Sequence, residues 1–121
     1  MSRGVELVRH MPNQNPTDAM FAALADPTRR AVVERLGGGP ATVTELAGGF
    51  AMALPSFLQH VRLLESSGLI QTSKQGRVRT CTLEPLALAA VERWIVERRR
   101  EAERRYDRLA AYLNRQETPD A

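Results

Sequence analysis

Leu54-Pro55-Ser56-Phe57-Leu58-Gln59-His60-Val61-Arg62-Leu63-Leu64-Glu65, followed by Gly68 and the segment Leu69 to Leu83, is the stretch on which the fold turns. In its first part Phe57, Val61 and Leu64 recur at helical spacing and define a buried face, while Ser56, Gln59 and Arg62 point elsewhere. Gly68 stops that helix. Leu69 to Ser73 and Val78 to Leu83 then carry β-branched and apolar residues on either side of Lys74-Gln75-Gly76-Arg77, which has the composition of a tight hairpin turn. Ala53 to Thr82 thus reads as one helix, a sharp bend and a two-stranded ribbon.

The charge of the chain is concentrated in this stretch. Before Ala53, Arg3, Arg9, Arg29, Arg30 and Arg35 are cancelled by Glu6, Asp18, Asp26, Glu34 and Glu45. After Thr82, eight arginines from Arg93 to Arg115 meet eight acids from Glu84 to Asp120. Between them Arg62, Lys74, Arg77 and Arg79 face only Glu65, so the formal net charge of +3 falls on the helix and ribbon. A polyanion is the partner such a surface suits.

A length of 121 residues fits one domain that can bury a core without disulfides or metal. Aromatic residues are few, so aliphatic side chains must supply most of that core. No apolar run is long enough to span a bilayer, and the N-terminus lacks the apolar segment of a signal peptide. A cytoplasmic protein without membrane contact is expected. The single cysteine, Cys81, rules out an internal disulfide and a cysteine-rich metal cage.

Working outward towards the N-terminus, Thr42 to Ala47 reads as a short helix stopped by Gly48-Gly49, and with the helix after Ala53 it makes a helix-turn-helix. The second of that pair is the one that enters a major groove. Asp26 is a good N-cap and Pro27 a good first helical residue for a helix through Ala31, Val32, Val33 and Leu36, ended by Gly37-Gly38-Gly39-Pro40. An earlier helix opens at Pro16 and runs to about Ala25, with Met20, Phe21 and Leu24 as its apolar stripe. Residues 1–15 read as a partly disordered tail in which Val5, Leu7 and Val8 form at most a short amphipathic turn.

Towards the C-terminus, Glu84-Pro85 opens a last helix that runs to about Leu113. Leu88, Val91, Ile95, Ala102, Tyr106, Leu109 and Leu113 recur along it at spacings of three and four. Roughly 28 residues of helix extend ~42 Å, more than a domain of this size covers, so the far end needs a partner. The arginine runs in this helix alternate with glutamates and read as a solvated face laced by i,i+3 and i,i+4 pairs rather than as a second nucleic-acid face. Residues 114–121 read as a frayed tail, leaving 16–113 as the DNA-binding and dimerisation domain.

Ala23-Leu24-Ala25-Asp26-Pro27-Thr28-Arg29-Arg30, Thr44-Glu45-Leu46-Ala47, Pro55, His60, Leu64-Glu65-Ser66-Ser67-Gly68-Leu69-Ile70, Gly76-Arg77 and Leu83-Glu84-Pro85 occur in an order and spacing that resembles the ArsR-type winged helix-turn-helix repressors. The resemblance covers roughly Asp18 to Tyr112. It implies a mainly helical fold of about five helices with a β-hairpin wing, a homodimer built through the first and last helices, and an inverted-repeat DNA operator. The dimer contacts it suggests are Met20, Phe21, Leu88, Val91, Ile95, Tyr106, Leu109 and Leu113. Two positions depart from the family: Ala53 stands where a serine usually caps the recognition helix, and Leu58 stands where serine is common on the outward face. A polar contact at Leu58 is excluded, whereas an apolar contact to a thymine methyl is open.

The candidate contacts then divide by chemistry. Gln59 can present both halves of its amide to adenine N6 and N7 and is the first choice for base readout, against the alternative of a solvated surface glutamine. Ser56 and Arg62 suit phosphates, which position a protein without reading sequence. His60 lies at the edge of the buried face, where donation to a phosphate and bonding inside the domain are equally open. Lys74, Arg77 and Arg79 on the ribbon suit phosphates or an adjacent minor groove. Arg29 and Arg30 are expected to pair within the domain.

The metal sites for which the resembling family is best known are not expected in this chain. One uses a cysteine pair on the helix before the recognition helix, where Glu45 to Gly49 offer no thiol or imidazole; the other uses histidines on the last helix, which has none. Cys81 alternates with Thr80 and Thr82 on the side of Leu83 and reads as a buried structural thiol. No nucleophile and base pair, phosphate loop or carboxylate cluster marks an enzyme, and no cofactor is implied. The reading is a homodimeric repressor on double-stranded DNA, released by a small-molecule or protein effector that favours the non-binding dimer. Two competing readings are a protein-interaction dimer that has lost DNA specificity, motivated by Ala53 and Leu58, and a repressor switched by oxidation of Cys81.

Overall fold

The computed structural model describes residues 15–117. The reading of residues 1–14, Val5, Leu7 and Val8 among them, and of residues 118–121 falls outside the described residues. In chain order the described elements are α1 (Pro16–Leu24), α2 (Pro27–Leu36), β1 (Ala41–Thr42), α3 (Val43–Ala47), α4 (Leu54–Ser66), β2 (Ile70–Gln75), β3 (Val78–Leu83) and α5 (Pro85–Glu117). This is the mainly helical winged helix-turn-helix architecture that the sequence predicts.

Three of the helix starts are set by side chains that satisfy orphan backbone donors. Asn15 Oδ1 accepts from Thr17 N at 2.8 Å, and Asp26 Oδ2 accepts from Arg29 N at 3.0 Å. At α3, Thr42 Oγ1 accepts from Glu45 N at 3.1 Å while Glu45 Oε1 accepts from Thr42 N at 2.9 Å, a reciprocal capping box. The start of α4 is different. Ala53 occupies the cap with no side-chain bond, and Pro55 in the first turn has no N–H to satisfy.

The wing is larger than the expected two-stranded ribbon. The sheet has three antiparallel strands in the order β1-β3-β2, with Ala41 opposite Cys81 and Thr42 opposite Thr80. The third strand follows from the cap of α3. An N-cap residue is extended, and Thr42 at φ −79°, ψ 159° can therefore end a strand and start a helix at once.

The hairpin turn is also tighter than Lys74 to Arg77. Gln75 pairs with Val78, leaving Gly76 and Arg77 as a two-residue loop. Gly76 has φ +64° and among the described residues no non-glycine residue has positive φ, the pattern of a type II′ turn, whose twist matches that of the strands. Lys74 is thereby drawn into the ladder, directly opposite Arg79.

The core is made where α2, α3, α4 and the base of the wing meet. Val32, Phe57, Leu64, Leu69, Ile70 and Cys81 have almost no exposed surface. Phe57 contributes most in volume and stacks on the Phe50 ring at 5.3 Å between centroids; truncating it to alanine would cost about 3–5 kcal/mol. Gly68, at φ +89°, ends the turn after α4 in a conformation that side-chain-bearing residues rarely adopt and sends Leu69 back into this core.

This first compact unit ends at Val91, and the rest of α5 from Glu92 forms a second unit. The helix continues past Leu113 to Glu117, because Asn114 to Glu117 include no glycine or proline to break it. Within the second unit Arg98 pairs with Glu101 at 3.2 Å and Arg99 with Glu103 at 3.7 Å, two of the expected lacing pairs. The Arg98 guanidinium also lies 5.1 Å from the centre of the Trp94 ring. Among the described residues no helix is long and apolar enough to cross a membrane.

Candidate nucleic-acid interface

The alternation of β2 and β3 decides which wing residues face α4. Ile70 pairs with Leu83, Thr72 with Cys81 and Lys74 with Arg79, so these six residues share one face of the ribbon. At its base that face is core. Towards the tip it becomes polar and basic, and two cations stand directly opposite each other at Lys74 and Arg79. Like charges in that position destabilise an isolated hairpin.

On α4, Ser56, Gln59 and Arg62 are all exposed, as the helical spacing predicts. No described residue pairs with Arg62, whose guanidinium keeps its donors free. Leu58 is not where it was expected. It is half-buried and packed against the core rather than pointing outward. The reason is angular: Leu58 stands three residues before buried Val61 and four before exposed Arg62, and so lies on the margin between the two faces. With Val61, Arg62, Glu65 and Arg79 it lines a groove of about 340 Å³ between α4 and the wing.

Arg79 is exposed but not free. Its Nη1 donates to Thr72 Oγ1 at 2.8 Å, and the same hydroxyl donates to Glu65 Oε2 at 2.8 Å. This relay joins both wing strands to α4. Neither Thr72 nor Glu65 carries a signal for it in the sequence, since the bond depends on the register of the hairpin. Lys74 and Arg77 are exposed at the wing tip with no described partner.

His60 is held inside the domain through one ring nitrogen. Its Nδ1 lies 3.0 Å from Arg29 Nη1 and 3.7 Å from Asp26 Oδ2. Arg29 also donates from Nε to Ala23 O at 2.7 Å and from Nη2 to Ala22 O at 3.3 Å, while Arg30 donates to Leu24 O at 2.9 Å. Both arginines thus close the carbonyl end of α1, where a cation is favoured. The backbone N–H of Arg29, with the Arg29 charge beside it, holds the Asp26 carboxyl below its ordinary value against a desolvation that opposes them.

Cys81 is fully buried, and burial pushes its thiol up, away from the reactive thiolate. The expected dimer residues fall into two groups. Met20 and Val91 are 8% exposed and Phe21 and Leu88 are partly buried, all packed into or against the intrachain core. Met20 and Val91 belong to the core of the first unit, over which the inner faces of α1 and of the first turns of α5 close. Ile95, Tyr106, Leu109 and Leu113, in the second unit, are between 46% and 71% exposed.

A helix-turn-helix domain family matches residues 24–72, which span α2 to the first half of the wing. The HTH-type transcriptional regulator Rv2034 of Mycobacterium tuberculosis is 40% identical over 81 residues, covering 67% of this chain and 76% of that protein. The transcriptional repressor SdpR of Bacillus subtilis is 29% identical over 77 residues, covering 64% of this chain and 86% of the relative. Among solved structures, the ArsR family transcriptional regulator RHA00566 superposes with a TM-score of 0.72 at 56% identity, covering 74% of this chain and 93% of its own. With the order of elements, the capped helix-turn-helix and the basic wing already in place, these likenesses identify the chain as a member of the ArsR family of helix-turn-helix transcriptional regulators, which bind DNA.

Proposed function

We propose that this regulator is a homodimeric repressor that sets two copies of α4 in successive major grooves of an inverted-repeat operator, about 10 bp and ~34 Å apart, with the wings on the flanks. The observation that carries the reading is the direct opposition of Lys74 and Arg79 on the wing face that turns towards α4. A repulsive pair of that kind is compensated by a polyanion lying between wing and helix. Gln59 then reads a base edge, with Ser56, Arg62, Lys74 and Arg77 on phosphates. The relative SdpR is named a repressor, which favours repression over activation.

Dimerisation is supported by the apolar residues that α5 leaves exposed in the second unit. Ala102, Tyr106, Leu109 and Leu113 follow the three-and-four spacing of a helix seam, with Ile95 one heptad before Ala102, and an exposed apolar stripe is an association surface. The domain boundaries follow the same logic, with DNA contacts in the first unit and the seam in the second. The family's metal sites are not used, because neither α3 nor α5 carries a thiol or imidazole donor. Burial of Cys81 weighs against an oxidation switch.

Footprinting of the purified protein on its own upstream DNA, at low and raised salt, tests the reading. Two protected half-sites about one helical turn apart, with affinity falling steeply as salt rises, are expected. An intact dimer that protects nothing at low salt would mean a protein-interaction module of the same fold.

A further inference from the structure

We propose that Thr72 is a positioning residue of the DNA interface, holding the Arg79 guanidinium on the α4–wing groove that Arg62 also lines, so that one backbone phosphate is gripped by helix and wing together. The inference rests on the DNA-binding reading above. Its basis is the polarity of the relay. A guanidinium has only donors and a carboxylate only acceptors, so they cannot exchange roles with the hydroxyl between them. The Thr72 Oγ1 must accept from Arg79 and donate to Glu65, as the 2.8 Å distances on both sides show. Such a chain polarises along its length and has one direction.

The consequence is geometric. Arg79 comes from β3, Thr72 from β2 and Glu65 from the last turn of α4, so three elements are joined through a single hydroxyl. One N–H of Arg79 is used in this way. The remaining donors stay on a groove that Arg62, Leu58, Val61 and Glu65 also line, where one Glu65 carboxylate oxygen is already engaged by the Thr72 hydroxyl. A phosphate has the charge for the two arginines, and the adjoining sugar has an apolar surface for Leu58 and Val61. The half-buried placement of Leu58 belongs to the same arrangement, since a serine there would lose that apolar contact.

The test is a double-mutant cycle on operator binding by the full-length protein, with thermal unfolding followed in parallel. Thr72→Val should weaken binding roughly fivefold, the scale of one net hydrogen bond, and Thr72→Ser, which keeps the hydroxyl, should restore it. Arg79→Gln should weaken binding and lower the slope of log affinity against log salt by about one contact. In the Arg79→Gln background, Thr72→Val should have no further effect. Additive effects, or wild-type affinity in Thr72→Val, would overturn the assignment while the DNA reading stands. A wild-type protein that protects no operator would remove both.

Discussion

Arg29 Nη1 and His60 Nδ1 meet at 3.0 Å, and the chemistry of that contact assigns the imidazole. Arginine can only donate, so Nδ1 is the acceptor and the ring proton sits on Nε2. Of the two roles that the sequence leaves open for His60, bonding inside the domain is made through Nδ1. Nδ1 ties α4 to the start of α2, and Nε2–H is the atom with donor capacity for a phosphate.

Arg29 is expected to matter more for stability than its neighbour. It donates to two carbonyls at the end of α1 and to His60, whereas Arg30 donates to one carbonyl and is exposed. Arg29→Ala should cost about 2 kcal/mol and Arg30→Ala about 0.5–1 kcal/mol, measured by urea unfolding. Equal costs would show that the bonds to His60 and Ala23 contribute nothing beyond charge at a helix end.

The Asp26 cap should make part of the stability depend on acid. Its carboxyl is held below the ordinary 3.8, first by the Arg29 backbone N–H, so the unfolded chain binds the proton more readily. Stability therefore rises with pH across the window between the folded and unfolded values. The contribution is complete above the unfolded value and is lost as pH falls through the folded one. The stability difference between wild type and Asp26→Ala should be constant from about pH 6 to 8 and shrink below about pH 4. A difference that persists unchanged into strong acid would assign the cap to the neutral carboxyl instead.

Where local chemistry decides the outcome, this fold was legible from its sequence. Asp26-Pro27, Gly68 and the three-and-four spacing of Phe57, Val61 and Leu64 each act within a few residues, and all stand where they were read. The β1 strand is not legible while Thr42-Val43-Thr44 reads whole as helix, although Thr42 followed by Glu45 is a capping-box signal that places Thr42 outside it. Leu58 differs from its outward-facing expectation because a residue on the margin of two faces is settled by what packs beside it. The Glu65-Thr72-Arg79 relay is the extreme case, since it exists only once the hairpin register puts Thr72 beside α4.

The uncapped start of α4 offers a direct gain. Ala53 already has the extended backbone of a cap at φ −67°, ψ 146°, and lacks only the oxygen. In Ala53→Ser the hydroxyl should accept from the N–H of Ser56, because Pro55 has none to offer. A stabilisation of about 1 kcal/mol in urea unfolding is expected. No change would mean that the first-turn donors are satisfied by solvent at no cost, and Ala53 would then be neutral rather than a departure from a better cap.

Gln59 and Arg77 should separate specificity from affinity. Gln59 is exposed near the start of α4, where a recognition helix meets base edges, and its amide can pair with adenine in two places. Arg77 sits in the two-residue turn at the wing tip, where its charge reaches backbone phosphates or the minor groove. Gln59→Ala should therefore cost about 1–3 kcal/mol on the operator and much less on unrelated duplex, with the preference lost at one base pair of each half-site. Arg77→Ala should weaken operator and unrelated duplex alike and lower the salt slope by about one. Binding of both variants to a panel of single-substituted operators at two salt concentrations measures the two effects separately. If Arg77→Ala changes the order of preference across that panel while Gln59→Ala leaves it intact, the wing rather than α4 reads the sequence.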